Sequence, residues 1–201
     1  MGESRTEQKR EQILRAAADL LLERGYAGVS VDEVVARAGG SKTNVYTYFG
    51  GKDGLFAAVM QRFCDEIVGP LKAIDVRGLS LRDALIRIGA TFLGVLLERR
   101  ALEVHRLAVA EAHRHPDAAR AFFNAAPEET YAAIAKLVAA QQAEGRLRAG
   151  DPRRFAAIFL DSLTGDAQLR ALTGMATIDA DQRARLIETA ADIFLEGAQA
   201  R

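Results

Sequence analysis

Two serines, Ser30 and Ser41, each open a short run of helix-forming residues, and a glycine pair, Gly39-Gly40, separates the runs. No other feature constrains the fold of this chain as tightly. Ser30 is followed three residues later by Glu33, the spacing of a capping box, and Val29 with Val34 has the spacing of a hydrophobic staple. Val31, Val34, Val35 and Ala38 then mark the buried stripe of a short helix. Gly39 and Gly40 supply the permissive backbone of a tight turn. Ser41 restarts the chain as an N-cap, its side-chain oxygen suited to accept from an amide two or three residues on. In the helix it opens, Val45 and Phe49 share one face and Thr43, Tyr46 and Thr47 form another. Lys42, Thr43 and Asn44 fill its first turn. A display of one cation, one amide and several hydroxyls has little use inside an apolar core. It suits a polar, anionic target, and DNA is the leading candidate.

The segment before this pair reads as one longer helix from about Thr6 to Arg24, with Ile13, Ala17, Leu20 and Leu21 at helical spacing and Gly25 as its stop. A short helix, a glycine turn and a second short helix with a polar outer face make the helix-turn-helix pattern. An ordinary helical hairpin within a bundle is the competing interpretation.

Helical spacing continues to the end of the chain. Leu55, Phe56, Val59, Met60, Phe63 and Ile67 predict a fourth helix to about Ala73, which Pro70 should kink or end. Ser80 with Asp83 caps a fifth helix reaching about Arg99, and a sixth covers about Leu102 to His113. His115-Pro116 begins a short helical piece, and Pro127-Glu128-Glu129 reads as the first turn of a longer helix ending near Gly145. Asp151-Pro152 opens a helix whose face is set by Phe155, Ile158, Phe159, Ser162 and Leu163. The last helix starts near Asp179, with Leu186, Ala190, Ile193 and Phe194 on one side. The reading contains no strand, internal repeat or low-complexity tract. The fold class expected is all-α.

Composition narrows the function classes. The 27 basic and 27 acidic residues cancel, which argues against a protein coated in nucleic acid but leaves room for a local basic footprint. A single cysteine, Cys64, cannot close an internal disulfide and suits a reducing compartment. The opening MGESRTEQKREQ is charged and lacks the apolar centre of a secretory signal, and no apolar run approaches the roughly 18 to 20 residues needed to span a bilayer. A cytoplasmic protein without membrane association is expected. The chain carries no nucleophile elbow, phosphate-binding loop or metalloprotease helix; Gly51-Lys52-Asp53 lacks the preceding glycine, the Ser/Thr and the leading strand of a P-loop. No enzyme and no cofactor is expected.

From about Ile13 to Phe56 the chain resembles the DNA-binding region of the TetR family of bacterial transcriptional regulators. The resemblance rests on Gly25-Tyr26, Val29-Ser30-Val31, Ala38-Gly39, Val45-Tyr46-x-Tyr48-Phe49 and Lys52-Asp53-x-Leu55-Phe56. It covers about a quarter of the chain. Gly50-Gly51 departs from the proline or charged residue often found there, and a looser joint to the fourth helix is the expectation. The stretch from Arg100 to Gly174, with HRLAVAEAHRHPDAARAFF and DSLTGDAQLRALTG, is similar to the C-terminal regions of AcrR-like and AefR-like members. The resemblance implies an N-terminal three-helix helix-turn-helix domain at residues 1–54. A larger helical ligand-binding and dimerisation domain follows at 55–201.

Residue type and resemblance together nominate the DNA contacts. Lys42 suits guanine O6 or N7, Asn44 an adenine or a phosphate, and Thr43 a thymine methyl. Tyr46 and Thr47 point the same way one turn on, while Tyr48 and Lys52 are expected to clamp the backbone and fix register. Ser30 is expected to offer its hydroxyl or amide to phosphate, helped by the helix dipole. Phe49 is assigned to structure. Arg5, Lys9 and Arg10 either add phosphate or minor-groove contacts or form a solvated, frayed tail. Phe92, His105, Phe122, Tyr131, Phe159 and Asp161 are the candidate lining of a small-molecule pocket. His105, His113 and His115 lack metal-ligand spacing, and Cys64 reads as a buried small hydrophobe rather than a redox sensor.

The resemblance implies a homodimer formed through the last two helices, a double-stranded DNA operator and a small-molecule inducer that releases a repressor. An activator, or a helical interaction module without inducer, is the alternative.

Overall fold

In the computed structural model, residues 5–198 are described; the first four residues of the charged opening stretch and residues 199–201 lie outside them. The described chain is helical, with no strand among those residues. In order it forms α1 (Arg5–Arg24), α2 (Val31–Ala38), α3 (Lys42–Phe49), α4 (Lys52–Lys72), α5 (Leu81–Leu96), α6 (Arg99–Glu111), α7 (Pro116–Phe123), a π turn (Asn124–Glu128), α8 (Glu129–Ala143), α9 (Pro152–Leu172) and α10 (Ala180–Ala198). The chain divides into two compact units. Among the described residues, one comprises 5–65 and 103–125, the other 66–102 and 126–198.

In the first unit α1 packs on α2 and α3, and α2 on α3. Most of the expected apolar spacing is buried: Ile13, Ala17, Leu20 and Leu21 from α1, Val34 from α2, Val45 from α3, and Leu55, Phe56, Val59, Met60 and Phe63 from α4. Val31, Val35 and Ala38 of α2 and Ile67 of α4 are only half-buried, so the stripe on α2 narrows to Val34. Val29 and Val34 are both buried and face one small crevice with Leu21, Leu55 and Phe56, as a staple across the start of α2 requires.

The second unit is built on α9. α8 packs along it, and α5 and α10 pack on it and on each other. Its core holds Leu85, Ile88 and Leu93 of α5, Ile134 and Val138 of α8, Phe155, Phe159, Leu160 and Leu163 of α9, and Ile187 and Phe194 of α10. Gly89 is what lets α5 come so close. A β-carbon there would meet Ile187 Cγ2 at 2.9 Å and Leu163 Cδ1 at 3.3 Å.

Several boundaries differ from those the sequence predicts. Pro70 sits inside the last turn of α4, which ends two residues later. Helix α5 ends at Leu96, not Arg99, and Arg99 already belongs to α6. Pro127 does not begin a new helix. It lies within the π turn that joins α7 to α8, because a residue with no N–H and a ring against the preceding turn is accommodated by widening one turn. Helix α9 kinks at Gly165, whose backbone is non-helical. Ile158 and Ser162 do not share the buried face of Phe155, Phe159 and Leu163; both are exposed, Ile158 at 60%. Ile193 on α10 is likewise 66% exposed, turned away from buried Ala190 and Phe194.

Candidate nucleic-acid interface

The local chemistry of the two short helices is the one their serines predict. Ser30 Oγ accepts from Glu33 N at 3.3 Å while Ser30 N donates to Glu33 Oε2 at 2.9 Å, a complete capping box. Ser41 Oγ accepts from Asn44 N at 3.4 Å, and α3 ends at Gly50, in left-handed conformation with φ 76°, whose N–H bonds Tyr46 O at 2.9 Å. Gly51 follows with φ 117°. The two glycines form a fixed C-cap with consecutive positive φ angles, a geometry that side-chain-bearing residues adopt only at a cost. The joint to α4 is thus a turn whose backbone shape two glycines permit.

α3 has two distinct sides. Val45 is completely buried, whereas Tyr46 beside it is 59% exposed. Lys42, Thr43 and Thr47 are exposed as well, and Asn44 and Tyr48 are half-buried. Phe49 points to the body of the unit but is only partly covered. Tyr48 meets its ring edge-on at 6.3 Å and the Arg10 guanidinium lies 5.2 Å from its centroid. Of the nominated contacts, Lys42, Thr43, Tyr46 and Thr47 thus share an open surface with Asn44 at its edge.

Ser30 stands differently. Its amide and its hydroxyl both donate to Glu33 Oε2, at 2.9 and 2.8 Å, so the two groups nominated for phosphate are already committed to a carboxylate. The N-terminal cations are not a frayed tail from Arg5 onward, because α1 has begun. Lys9 Nζ donates to Ala38 O at 3.4 Å, tying α1 to the turn before α3.

Lys52 is held by a group of side chains that sequence spacing did not bring together. Its ammonium lies 4.1 Å above the Tyr26 ring. The Tyr26 hydroxyl donates to Asp53 Oδ1, its ring meets Phe56 edge-on at 5.1 Å, and the His115 ring covers it at 4.0 Å. Burial and the Asp53 hydrogen bond push the Tyr26 phenol up to about 12. Nearby, Glu111 is 7% exposed and its Oε2 has no hydrogen-bond partner. The signal for this group was the Gly25-Tyr26 and Lys52-Asp53 pair of motifs, whose tertiary pairing no local pattern reveals. A second unforeseen contact is an ion pair between Lys42 Nζ and Asp32 Oδ1 at 2.8 Å.

The six nominated pocket residues fall in both units. His105 and Phe122 belong to the first, as an edge-on pair at 6.0 Å, and burial pushes the His105 imidazole below its ordinary value. Phe92, Tyr131, Phe159 and Asp161 belong to the second. There the Tyr131 hydroxyl donates to Asp161 Oδ1 at 2.7 Å, and Phe159, 1% exposed, packs against Phe194 at 5.4 Å. Cys64 is fully buried and its thiol is pushed up to about 12 by burial, so almost no thiolate forms near neutral pH. Among the described residues no group of His, Cys, Asp or Glu is placed to hold a metal ion, and no helix is long and apolar enough to cross a membrane.

A capped α2, a fixed turn and a capped α3 anchored through Val45 with its hydroxyl-rich side open define a helix-turn-helix DNA-binding protein. The comparisons with known proteins say which kind. Residues 13–59 match the bacterial regulatory proteins of the tetR family. Residues 83–197, more than half of the chain, match the AefR-like transcriptional repressor C-terminal domain. The chain belongs to the TetR family of bacterial transcriptional regulators.

Among similar proteins are the HTH-type transcriptional activator FasR of Mycolicibacterium smegmatis, 38% identical over 66 residues, which are 33% of this chain and 30% of FasR. The HTH-type transcriptional regulator RutR of Escherichia coli is 38% identical over 65 residues, 32% of this chain and 31% of RutR. These alignments thus span about a third of either partner. The HTH-type transcriptional regulator PksA of Bacillus subtilis is 25% identical over 182 residues, 90% of this chain and 87% of PksA. Two solved structures match almost throughout. A TetR-family regulator from Mesorhizobium loti has TM-score 0.89 at 23% identity over 98% of this chain and 100% of its own. The flavonoid-responsive regulator FrrA has TM-score 0.88 at 28% identity over 97% and 99%.

Proposed function

We propose that this regulator is a homodimeric repressor that binds a roughly palindromic operator and leaves it when a small molecule occupies the second unit. The observation that carries the proposal is the two-sidedness of α3: Val45 fully buried, Tyr46 and its neighbours open. Lys42, Thr43, Asn44, Tyr46 and Thr47 read base edges and flanking phosphates; Tyr48 and Lys52 hold the backbone. Ser30 joins them only where Glu33 yields its hydroxyl or amide.

Two heads must reach successive major grooves about 34 Å apart, which a monomer cannot do. The exposed Ile158 and Leu169, before and after the Gly165 kink in α9, and the exposed Ile193 of α10 supply apolar surface for the partner. The match of residues 83–197 to a repressor domain favours repression. FrrA, by its description, responds to flavonoids; an aromatic inducer suits Phe92 and Tyr131 here, with Asp161 as the polar contact beside the Tyr131 hydroxyl, and reaches Phe159 only by parting it from Phe194. Release is a population shift. Swinging a head-spacing equilibrium from 1:99 to 99:1 requires the inducer to prefer one state by about 5.5 kcal/mol.

The test uses duplexes selected by the full chain from a random-sequence pool. Ile158→Asp with Ile193→Asp should yield a folded monomer in sedimentation, and its affinity for the selected duplex should fall at least about 100-fold. A monomeric wild type, or a double variant that stays dimeric and binds unchanged, would overturn the assembly.

A further inference from the structure

The DNA-reading surface carries a carboxylate where a polyanion is to dock. Asp32 stands in the first turn of α2, where the helix dipole favours a negative charge. Glu33 beside it is fully used: Ser30 takes one oxygen and Arg24 the other, the latter at 2.9 Å. Asp32 instead reaches across the turn to α3 and pairs with Lys42 at 2.8 Å. Both side chains are open, 60% and 67% exposed, so the pair is in water on the outer face rather than a structural clasp.

From this geometry we infer that Asp32 is a specificity-determining residue of the head, acting through Lys42 by holding its ammonium away from phosphate on non-cognate DNA. The inference rests on the reading of Lys42 as a DNA contact. On a random duplex, Lys42 meets a phosphate only by leaving Asp32, which then sits unneutralised beside the same backbone. The exchange trades one anionic partner for another and gains little. At a cognate step both members are satisfied at once. Guanine O6 and N7 replace the carboxylate as acceptors for Lys42, and a cytosine N4 amino group donates to the freed Asp32. The pair thus lowers background affinity and leaves cognate affinity nearly intact, which is discrimination by penalising the wrong partner. The hydrogen bond to Asp32 also pushes the Lys42 ammonium above its ordinary value, so the contact is an ion pair at neutral pH.

Asp32→Asn tests this in the full-length protein, with the selected duplex and a scrambled duplex of equal composition as probes. Freeing Lys42 for one more phosphate steepens the log–log salt dependence on scrambled DNA by about 0.9 per head, about a 3.5-fold steeper loss between 50 and 200 mM salt. Scrambled affinity at low salt should rise several-fold while selected-duplex affinity changes less, narrowing their ratio. The same substitution in a Lys42→Ala background should then do nothing to the slope. An equal steepening in both backgrounds means plain charge removal and overturns the proposal, as does no steepening in either. Lys42→Ala alone separates the role of Lys42 from that of Asp32. If it leaves binding to both duplexes unchanged, the reading of Lys42 fails; if it weakens binding and Asp32→Asn has no effect, only the role of Asp32 fails.

Discussion

Val45 and Tyr46 are consecutive residues that should fail in opposite ways when cut to alanine. Val45 is 0% exposed, so Val45→Ala removes the equivalent of two methylenes from a closed interface between α3 and the body of its unit. At about 0.8 kcal/mol per buried methylene the transfer loss is about 1.6 kcal/mol. The cavity left behind adds to it, because α3 is packed on both α1 and α2, which also pack on each other and resist closing in. A total of about 2 to 3 kcal/mol is expected. Tyr46 is 59% exposed and caps no buried group, so Tyr46→Ala should change stability by less than about 0.5 kcal/mol. Its effect belongs to DNA, where loss of a ring and hydroxyl should weaken the selected duplex by roughly ten-fold or more. Urea unfolding of both variants, read by circular dichroism at fixed protein concentration, gives the stabilities, and fluorescence anisotropy gives the affinities. A Tyr46→Ala variant as destabilised as Val45→Ala, or a Val45→Ala variant with full stability, would refute the assignment of inward and outward sides.

Three further outcomes follow from the geometry. Ser30→Ala removes the oxygen that caps α2 and the partner of Glu33, and should cost about 1 kcal/mol in the same unfolding assay. Lys52→Ala should lower the salt dependence of binding by about 0.9 per head with little change in sequence preference, measured on selected and scrambled duplexes. The Tyr26 and Tyr131 phenols, both held up to about 12 by burial and by hydrogen bonds to Asp53 and Asp161, stabilise the fold only while neutral. Their folded values exceed the unfolded value near 10, so this stability is complete below pH 10 and is lost as pH climbs to 12. Cys64 adds a loss of the same sign from about pH 9. Tyr26→Phe should flatten the alkaline fall by about 1 kcal/mol once solvent screening is allowed for, and an identical profile would count against the Tyr26–Asp53 contact.

What could be read in the sequence was what lies three or four residues apart. The Ser30–Glu33 box, the Ser41 cap and the Asp151 cap are all local, and local spacing carries them. The same spacing distinguished Val45 from Tyr46. It did not foresee Asp32 with Lys42, or Tyr26 with Asp53, Phe56 and His115, because those pairs are made by packing between elements. Proline was the other source of error. A missing N–H reads as a helix boundary, yet at Pro127 one widened turn absorbs it and the chain stays helical. Apolar periodicity also misled at Ile158 and Ile193. An exposed apolar residue looks the same, in one dimension, as a buried one.

Operator binding as proposed requires α3 to enter the major groove from two heads at once. Dimethyl sulfate probing of the selected duplex reports on that directly, since it methylates guanine N7 in the major groove. Wild-type protein should protect guanines in two patches about one helical turn apart, and Lys42→Ala with Tyr46→Ala should lose both patches while the duplex remains bound weakly at low salt. Protection confined to adenine N3 in the minor groove, or a single patch unaffected by the two substitutions, would contradict it.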